Sequence, residues 1–291
     1  MKPDQPHSIR SEDTDSADHA ELLHALAAAL DPIEPPPARQ HAMRQRLRAR
    51  VADSATRHAE LRIHRATQGE WQHFKAGVAM KLLNRGPSGN SVLVRLTAGA
   101  HLPVHRHRWA EEGIVLDGAL YLNGHMLARG DYHLSLPGSR HERITAPQGG
   151  IVFLRGASLG DRWAMVEVLT GWLPYRGAPA VTQHVGEGLW TEIAPGVQQH
   201  ILRPDGACHS RLIRMAPGTR LSRRDHDRDE ECMVIEGDVF FGDVLMRAGD
   251  YHLAPAGSRH GLVESDTGAL FFVHGAAESW HSVASGSAAG R

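Results

Sequence analysis

GDYHLSLPGSRH, residues 130–141, returns as GDYHLAPAGSRH, residues 249–260, changed at only three positions. Setting His141 on His260 defines an offset of 119 residues. The same offset aligns Trp71 with Trp190, Gly77-Val78 with Gly196-Val197, Gly99 with Gly218, Gly118 with Gly237 and Gly156 with Gly275. No gap is needed from Trp71 to Gly156, so the chain carries two copies of one domain rather than an array of short units. Within each copy, short apolar stretches such as SVLVRL, GIVLDGALYL and GGIVFLRG alternate with Gly and Pro turns. Period-2 runs bounded by turn residues predict strands, and the fold class expected from Trp71 onward is all-β.

Composition bounds what such a chain can do. Its 291 residues are 41% hydrophobic, enough for about two domains with real cores. No apolar run reaches membrane-spanning length, and MKPDQPHSIRSED lacks the basic and apolar regions of a signal peptide. A soluble cytoplasmic protein is expected. Two cysteines, Cys208 and Cys232, cannot form a disulfide framework, and a net charge of −1 argues against direct nucleic-acid binding. The unusual count is 21 histidines.

Charge is balanced only on average. Residues 1–34 carry eight acidic side chains against Lys2 and Arg10, while residues 38–65 carry eight arginines against Asp53 and Glu60. This marks residues 1–65 as a separate helical and linker region, followed by β-domains over 66–175 and 176–291. Ala17–Leu30 predicts a helix capped by Asp15 or Ser16, with Leu22, Leu23, Leu26 and Leu30 in one stripe and Asp31-Pro32 at its end. Pro35, Pro36 and Pro37 form a stiff spacer, and a second helix is expected from Ala38 to about Val51. Two such helices are too small to stand alone. Their leucine stripe needs the chain's own barrels, a dimer mate or another protein.

HRHRWAEE, residues 105–112, explains the histidines. On a strand, His105 and His107 point to the same face. Glu111 follows a short kink at Arg108-Trp109-Ala110, and His141 arrives from the GSRH turn. Three imidazoles and a carboxylate converging in a barrel make a divalent metal site. At the offset, His107, Glu111 and His141 become His226, Glu230 and His260, but His105 becomes Arg224. An arginine stays protonated and cannot ligate a metal, so the second copy offers a weaker three-ligand site or an Arg224–Glu230 ion pair in its place. Cys232 shares the strand face of Glu230 and is either a core residue or a thiol near that site. His133 and His252 alternate with Tyr132 and Tyr251 and are expected to point outward or to an interface. Trp71 and Trp190 are expected to seal the same end of each barrel.

Gly99-x5-His105-x-His107-x3-Glu111-x6-Gly118 resembles the first cupin motif, and Gly249-Asp250-x4-Pro255-x-Gly257-x2-His260 the second; Gly130 to His141 matches the second with a shifted proline. The resemblance implies two tandem antiparallel jelly-roll barrels, a bicupin. VRLTAGAHLPVHRH, EEGIVLDG and GSRH followed by GGIVFLRG further resemble the ChrR-type cupins, known as the C-terminal part of zinc-binding anti-sigma factors. LLHALAAALDPIEPPPARQHAMRQRLRARV resembles the linker helices of bacterial anti-sigma factors. The zinc-binding His-x3-Cys-x2-Cys cluster of those proteins has no counterpart, because residues 1–50 contain no cysteine and offer only His19 and His24 at the corresponding place.

Two functions follow as expectations. One is a metal-binding regulator or sensor, holding zinc first and iron or manganese as alternatives, with a small-molecule ligand in the first barrel. Its N-terminal helices would contact a sigma factor or other regulatory protein, or pair in a homodimer. The other is a metal-dependent dioxygenase or isomerase acting on a small organic substrate.

Overall fold

The computed structural model describes residues 22–25, 34–173, 177–222 and 224–277. Of the helix expected over 17–30, residues 22–25 are helical and the remainder, with His19, lies outside the described residues. The second helix is longer than expected, running over Pro37–Arg57, with Met43, Leu47 and Val51 exposed along it. Residues 1–56 form one unit and 57–291 another. No helix among the described residues is long and apolar enough to cross a membrane.

Residues 57–277 form two antiparallel jelly rolls. In the first, a seven-stranded sheet runs in the order Val181–Gln183, Tyr132–Ser135, Glu111–Gly118, Gly150–Ala157, Asn90–Leu96, Val78–Asn84, Gln72–Lys75. A four-stranded sheet of Ala100–Leu102, Ile144–Ala146, Leu120–Leu122 and His125–Leu127 covers its inner face. The second barrel repeats the plan around Glu230–Phe241 and Ala269–Ala276.

The barrels exchange edge strands. Val181–Gln183, which leads into the second copy, pairs with Tyr132–Leu134 of the first. Arg62–His64, which leads into the first copy, pairs with Tyr251–Leu253 of the second. The two registers superpose on the 119-residue offset. Boundaries drawn at 65 and 175 are therefore crossed in both directions by backbone hydrogen bonds, and each exchanged strand caps an edge that would otherwise be open.

The central strands of the large sheets are buried on both faces. Along Asn90–Leu96, Val92, Val94 and Leu96 enter the core of the first barrel, whereas Leu93 enters a second core between the barrels. That shared core gathers Leu83, Leu93, Ile114, Tyr132 and Phe153 with their offset mates Leu202, Leu212, Met233, Tyr251 and Phe272. Trp71 and Trp190 pack on this shared core, not over a barrel end, and are covered by Arg95 and Arg214 at 4.5 and 3.9 Å from the ring centroids. The lead-in segments run beside the inter-barrel seam, which is why the tryptophans lie there. Glycines let the backbones cross closely: a Cβ on Gly118, at φ +68°, would lie 2.3 Å from the Gly149 carbonyl oxygen.

At the centre of the seam the symmetry is broken. The Arg155 guanidinium donates to Glu112 Oε2 at 3.1 Å and to Glu231 Oε1 at 2.9 Å, and the Tyr132 and Tyr251 hydroxyls donate to the same carboxylates at 2.8 Å each. The offset mate of Arg155 is His274, which burial first, and Arg155 next, push down to about 3. One guanidinium thus serves both buried carboxylates.

Candidate metal centre

The local chain directions place the quartet predicted from the sequence. His105 lies in the two-residue strand His105–Arg106, paired with Arg140–His141 so that His105 sits directly opposite His141. His107 follows where that strand ends, and its N–H and C=O both bond across to the Ser139 and Gly138 backbone. Glu111 opens the strand Glu111–Gly118. One ligand atom from each of His105, His107, Glu111 and His141 lies within 4.8 Å of all the others. The three rings are 4.4 to 5.2 Å apart between centroids, and His107 Nδ1 is 3.8 Å from Glu111 Oε1.

Neighbours set the ring orientations. His105 Nδ1 donates to the Pro103 carbonyl at 2.9 Å, which leaves Nε2 as its coordinating nitrogen. His141 Nε2 is bonded to Ser135 Oγ at 2.7 Å, leaving Nδ1. His107 Nε2 and His141 Nδ1 are buried with no hydrogen-bond partner. Such a penalty is retained in a barrel interior when another species engages those atoms.

Burial governs the protonation states. It lowers His105, and lowers His107 and His141 well below the ordinary imidazole value, with neighbouring imidazoles adding to the effect at His107 and His141. The rings are therefore neutral and able to ligate. Burial, followed by the nearby Glu167 charge, pushes Glu111 up to about 8, so without a cation it holds a proton at neutral pH. A divalent cation inverts that preference. The donor set fits a divalent metal: His105, His107, Glu111 and His141 would hold it, and it would supply Lewis acidity or, for a redox-active ion, electron exchange.

Two further residues belong to the site. His133 points into the first barrel, 94% buried by its 6% exposure, with its ring 5.0 Å from that of His141. The outward orientation expected from alternation fails because both strand faces are buried: Tyr132 takes the inter-barrel side and His133 the barrel interior. His252 is likewise buried, 4.6 Å from the Phe241 ring. Glu167 comes from the short helix Trp163–Thr170, whose Ala164, Glu167 and Val168 face the barrel. Its Oε1 accepts from the Arg108 N–H at 3.0 Å and the Ser158 hydroxyl at 2.5 Å, and burial raises its pKa. No motif flags Glu167; its only sequence signal is one acid inside the apolar run WAMVEVL, between the copies. The signal for His133 was its place in the duplicated GDYH.

A cavity of about 80 Å³ opens against this constellation. His105, Glu111, His133, His141, Ser158 and Glu167 form its polar part, and Leu102, Leu120, Leu122, Leu127, Ile144, Val152 and Leu154 are among the aliphatic side chains that form the rest. Among the described residues, no Lys or Arg lines it.

In the second barrel, His226 and Glu230 are buried, with Nδ1 and Oε1 3.9 Å apart. The backbones of Arg224 and His260 pair opposite each other, repeating His105 and His141, while their side chains lie outside what the structure describes. Cys232 is 1% exposed within the second barrel's apolar core. Cys208 is half-buried and opens the strand Cys208–Met215.

Duplicated jelly rolls with a histidine-rich centre in one barrel define a bicupin. The ChrR cupin-like domain matches twice, over residues 59–158 and 179–278, and the chain belongs to that family. No curated protein matches the chain. Among solved structures, a candidate dioxygenase from Nostoc punctiforme is similar at a TM-score of 0.59 and 17% identity, covering 77% of this chain and 85% of that one. An oxalate decarboxylase from Lactobacillus farciminis matches at 0.52 and 14% identity, covering 75% and 87%. One from Bacillus subtilis matches at 0.51 and 18%, covering 75% and 76%. At these identities the likeness concerns the fold.

Proposed function

We propose that the chain is a metal-dependent regulatory bicupin. The first barrel holds a divalent metal, zinc first, on His105, His107, Glu111 and His141 and acts as the sensing element. The second barrel braces it, and the N-terminal helices contact a partner, a sigma factor being the first candidate. The observation that carries this reading is a cluster of four donors able to hold a metal inside a duplicated ChrR-type fold, beside a cavity that no cationic side chain lines among the described residues. A decarboxylase or dioxygenase acting on a carboxylate substrate is expected to present a cationic side chain to it, besides the metal. The arginine-rich helix Pro37–Arg57, with its exposed Met43, Leu47 and Val51, offers a surface for a partner.

A second reading, a metal-dependent dioxygenase or isomerase of a small organic substrate, is favoured by the cavity itself, which gives an uncharged substrate room beside the donors. Metal analysis of protein purified without added metal, coupled to a test of sigma-factor association, separates the two. About one zinc per chain, with association lost on chelation, supports the regulator. About one iron or manganese per chain, with substrate-dependent oxygen uptake and no association, overturns it.

A further inference from the structure

We infer that the cavity of the first barrel is a binding site for a small uncharged molecule with an aliphatic body and one hydroxyl-type head, the head being read by His133 and Glu167. Its body is defined by the lining: Leu102, Leu120, Leu122, Leu127, Val152 and Leu154 present hydrocarbon only. The two charges of a divalent ion on the quartet are balanced by the carboxylates of Glu111 and Glu167, and among the described residues no cationic side chain lines the cavity, so an anion finds no uncompensated positive charge there. About 80 Å³ admits a molecule of roughly five non-hydrogen atoms, judged against the ~10–15 Å³ that one water-sized group requires on this measure.

The head is defined by atoms held out of the protein's own hydrogen bonding. His133 is 6% exposed and lines the cavity; its Nδ1 is bonded to Thr182 Oγ1 at 2.9 Å, while its Nε2 is buried with no hydrogen-bond partner. Thr182 stands on the exchanged strand, directly opposite His133 in register, so the strand exchange itself orients this ring. Both hydrogen bonds to Glu167 fall on Oε1, leaving Oε2 for a ligand. A hydroxyl both donates and accepts, and so can satisfy an imidazole nitrogen and a carboxyl oxygen together.

The duplication supplies an internal control. Where the first barrel has Gly113, Leu122 and Val152 around the cavity, the second has Cys232, Phe241 and Phe271, all at most 2% exposed in its core. The Phe241 ring lies 4.6 Å from His252, the mate of His133. Val239, Val263 and Val273 in place of Leu120, Ile144 and Leu154 offset this filling only in part. The mate of Thr182 is Ile63, which pairs with His252 but carries no hydroxyl. In the first barrel the open volume and the imidazole oriented by Thr182 thus lie beside the four clustered donors.

This inference rests on the metal-site reading only for what lies beside the ligand, and the two fail separately. The zinc-loaded chain, labelled at Leu and Val methyls, is titrated with 1-butanol, butanone and butyrate by NMR, and the metal content of each sample is measured. The expected result is saturable 1-butanol binding, at least tenfold tighter than butyrate and tighter than butanone. Val152→Phe and Leu122→Phe, each copying the second barrel, are expected to weaken 1-butanol at least tenfold while keeping the metal. His133→Phe, which keeps a ring but removes Nε2, is expected to erase the preference for the alcohol over the ketone. Butyrate binding as tightly as 1-butanol overturns the inference, as do both folded cavity variants binding like the parent. Metal retained without alcohol binding refutes the cavity assignment alone; alcohol binding by a chain that takes up no metal refutes the metal reading alone.

Discussion

Replacing Arg155 by methionine keeps much of the side-chain length and removes the one guanidinium that bridges Glu112 and Glu231 across the barrel seam. The two carboxylates are 1% and 8% exposed, so neither recovers full hydration when its partner is lost. Removing one partner of a buried ion pair costs about 3–5 kcal/mol. Two groups soften the loss. Arg203 lies 3.7 Å from Glu112, and His274 Nδ1 lies 3.9 Å from the same carboxylate and becomes easier to protonate once Arg155 is gone. A cost near the lower bound, about 3 kcal/mol, is therefore expected. With a urea dependence of about 2–3 kcal/mol per molar, the midpoint should fall by about 1–1.5 M. Tryptophan fluorescence is a suitable readout, because Trp71 and Trp190 pack on the shared core. Arg155→Lys, which keeps the charge but cannot span both carboxylates with a fork, should fall between parent and methionine. A methionine midpoint within about 0.3 M of the parent, less than ~1 kcal/mol, would show that the seam is hydrated and refute the reasoning.

His105→Ala removes one of four donors and should lower metal affinity at least tenfold, read as metal retained after dialysis; full retention sinks the ligand assignment. Because Glu111 holds its proton to about pH 8 while the imidazoles are already neutral, metal uptake at pH 7 should release about one proton per ion, fading above pH 9. Calorimetry in buffers of different ionisation enthalpy measures it. For the metal-free chain, Glu111 binds more protons folded than unfolded, so this contribution to stability is complete below the unfolded value of 4.5 and lost as pH rises through about 8. The lowered histidines act in the opposite sense only below about 6.5, so the melting temperature should decline between pH 6.5 and 8, and metal should abolish that decline. A flat profile counts against a buried Glu111. Gly118→Ala forces a Cβ to within 2.3 Å of the Gly149 carbonyl oxygen at a positive φ and should cost roughly 2 kcal/mol or more by calorimetry, whereas Gly99→Ala, whose Cβ meets nothing within 4 Å, should cost less.

The clustering of the four candidate donors was legible because its geometry is local. His105 and His107 share a face by strand alternation, Glu111 follows one kink later, and His141 returns from a turn whose glycine and proline are themselves in the sequence. Duplication made the fold legible, since a gapless offset between turn glycines and apolar runs admits few architectures. His133 was misread because alternation tells which residues share a face and not what covers that face; here a second barrel covers the side that a lone jelly roll would turn to water. Glu167 escaped because a carboxylate in a short apolar helix has no spacing partner, and only the packing of Trp163–Thr170 on the barrel mouth brings it beside Glu111.

By itself, then, the sequence determined two cupin barrels, the four residues that cluster as candidate metal donors and the arginine that departs from them in the second copy. Tertiary structure alone decided the exchange of Arg62–His64 and Val181–Gln183, because three-residue strands carry no pairing signal of their own and are placed by the open edges they find. It also decided that Arg155 serves two carboxylates from different copies, and that one barrel keeps a cavity where the other packs Phe241 and Phe271. Close packing and burial of charge depend on what lies across a contact, and residues far apart in the chain meet there only after folding.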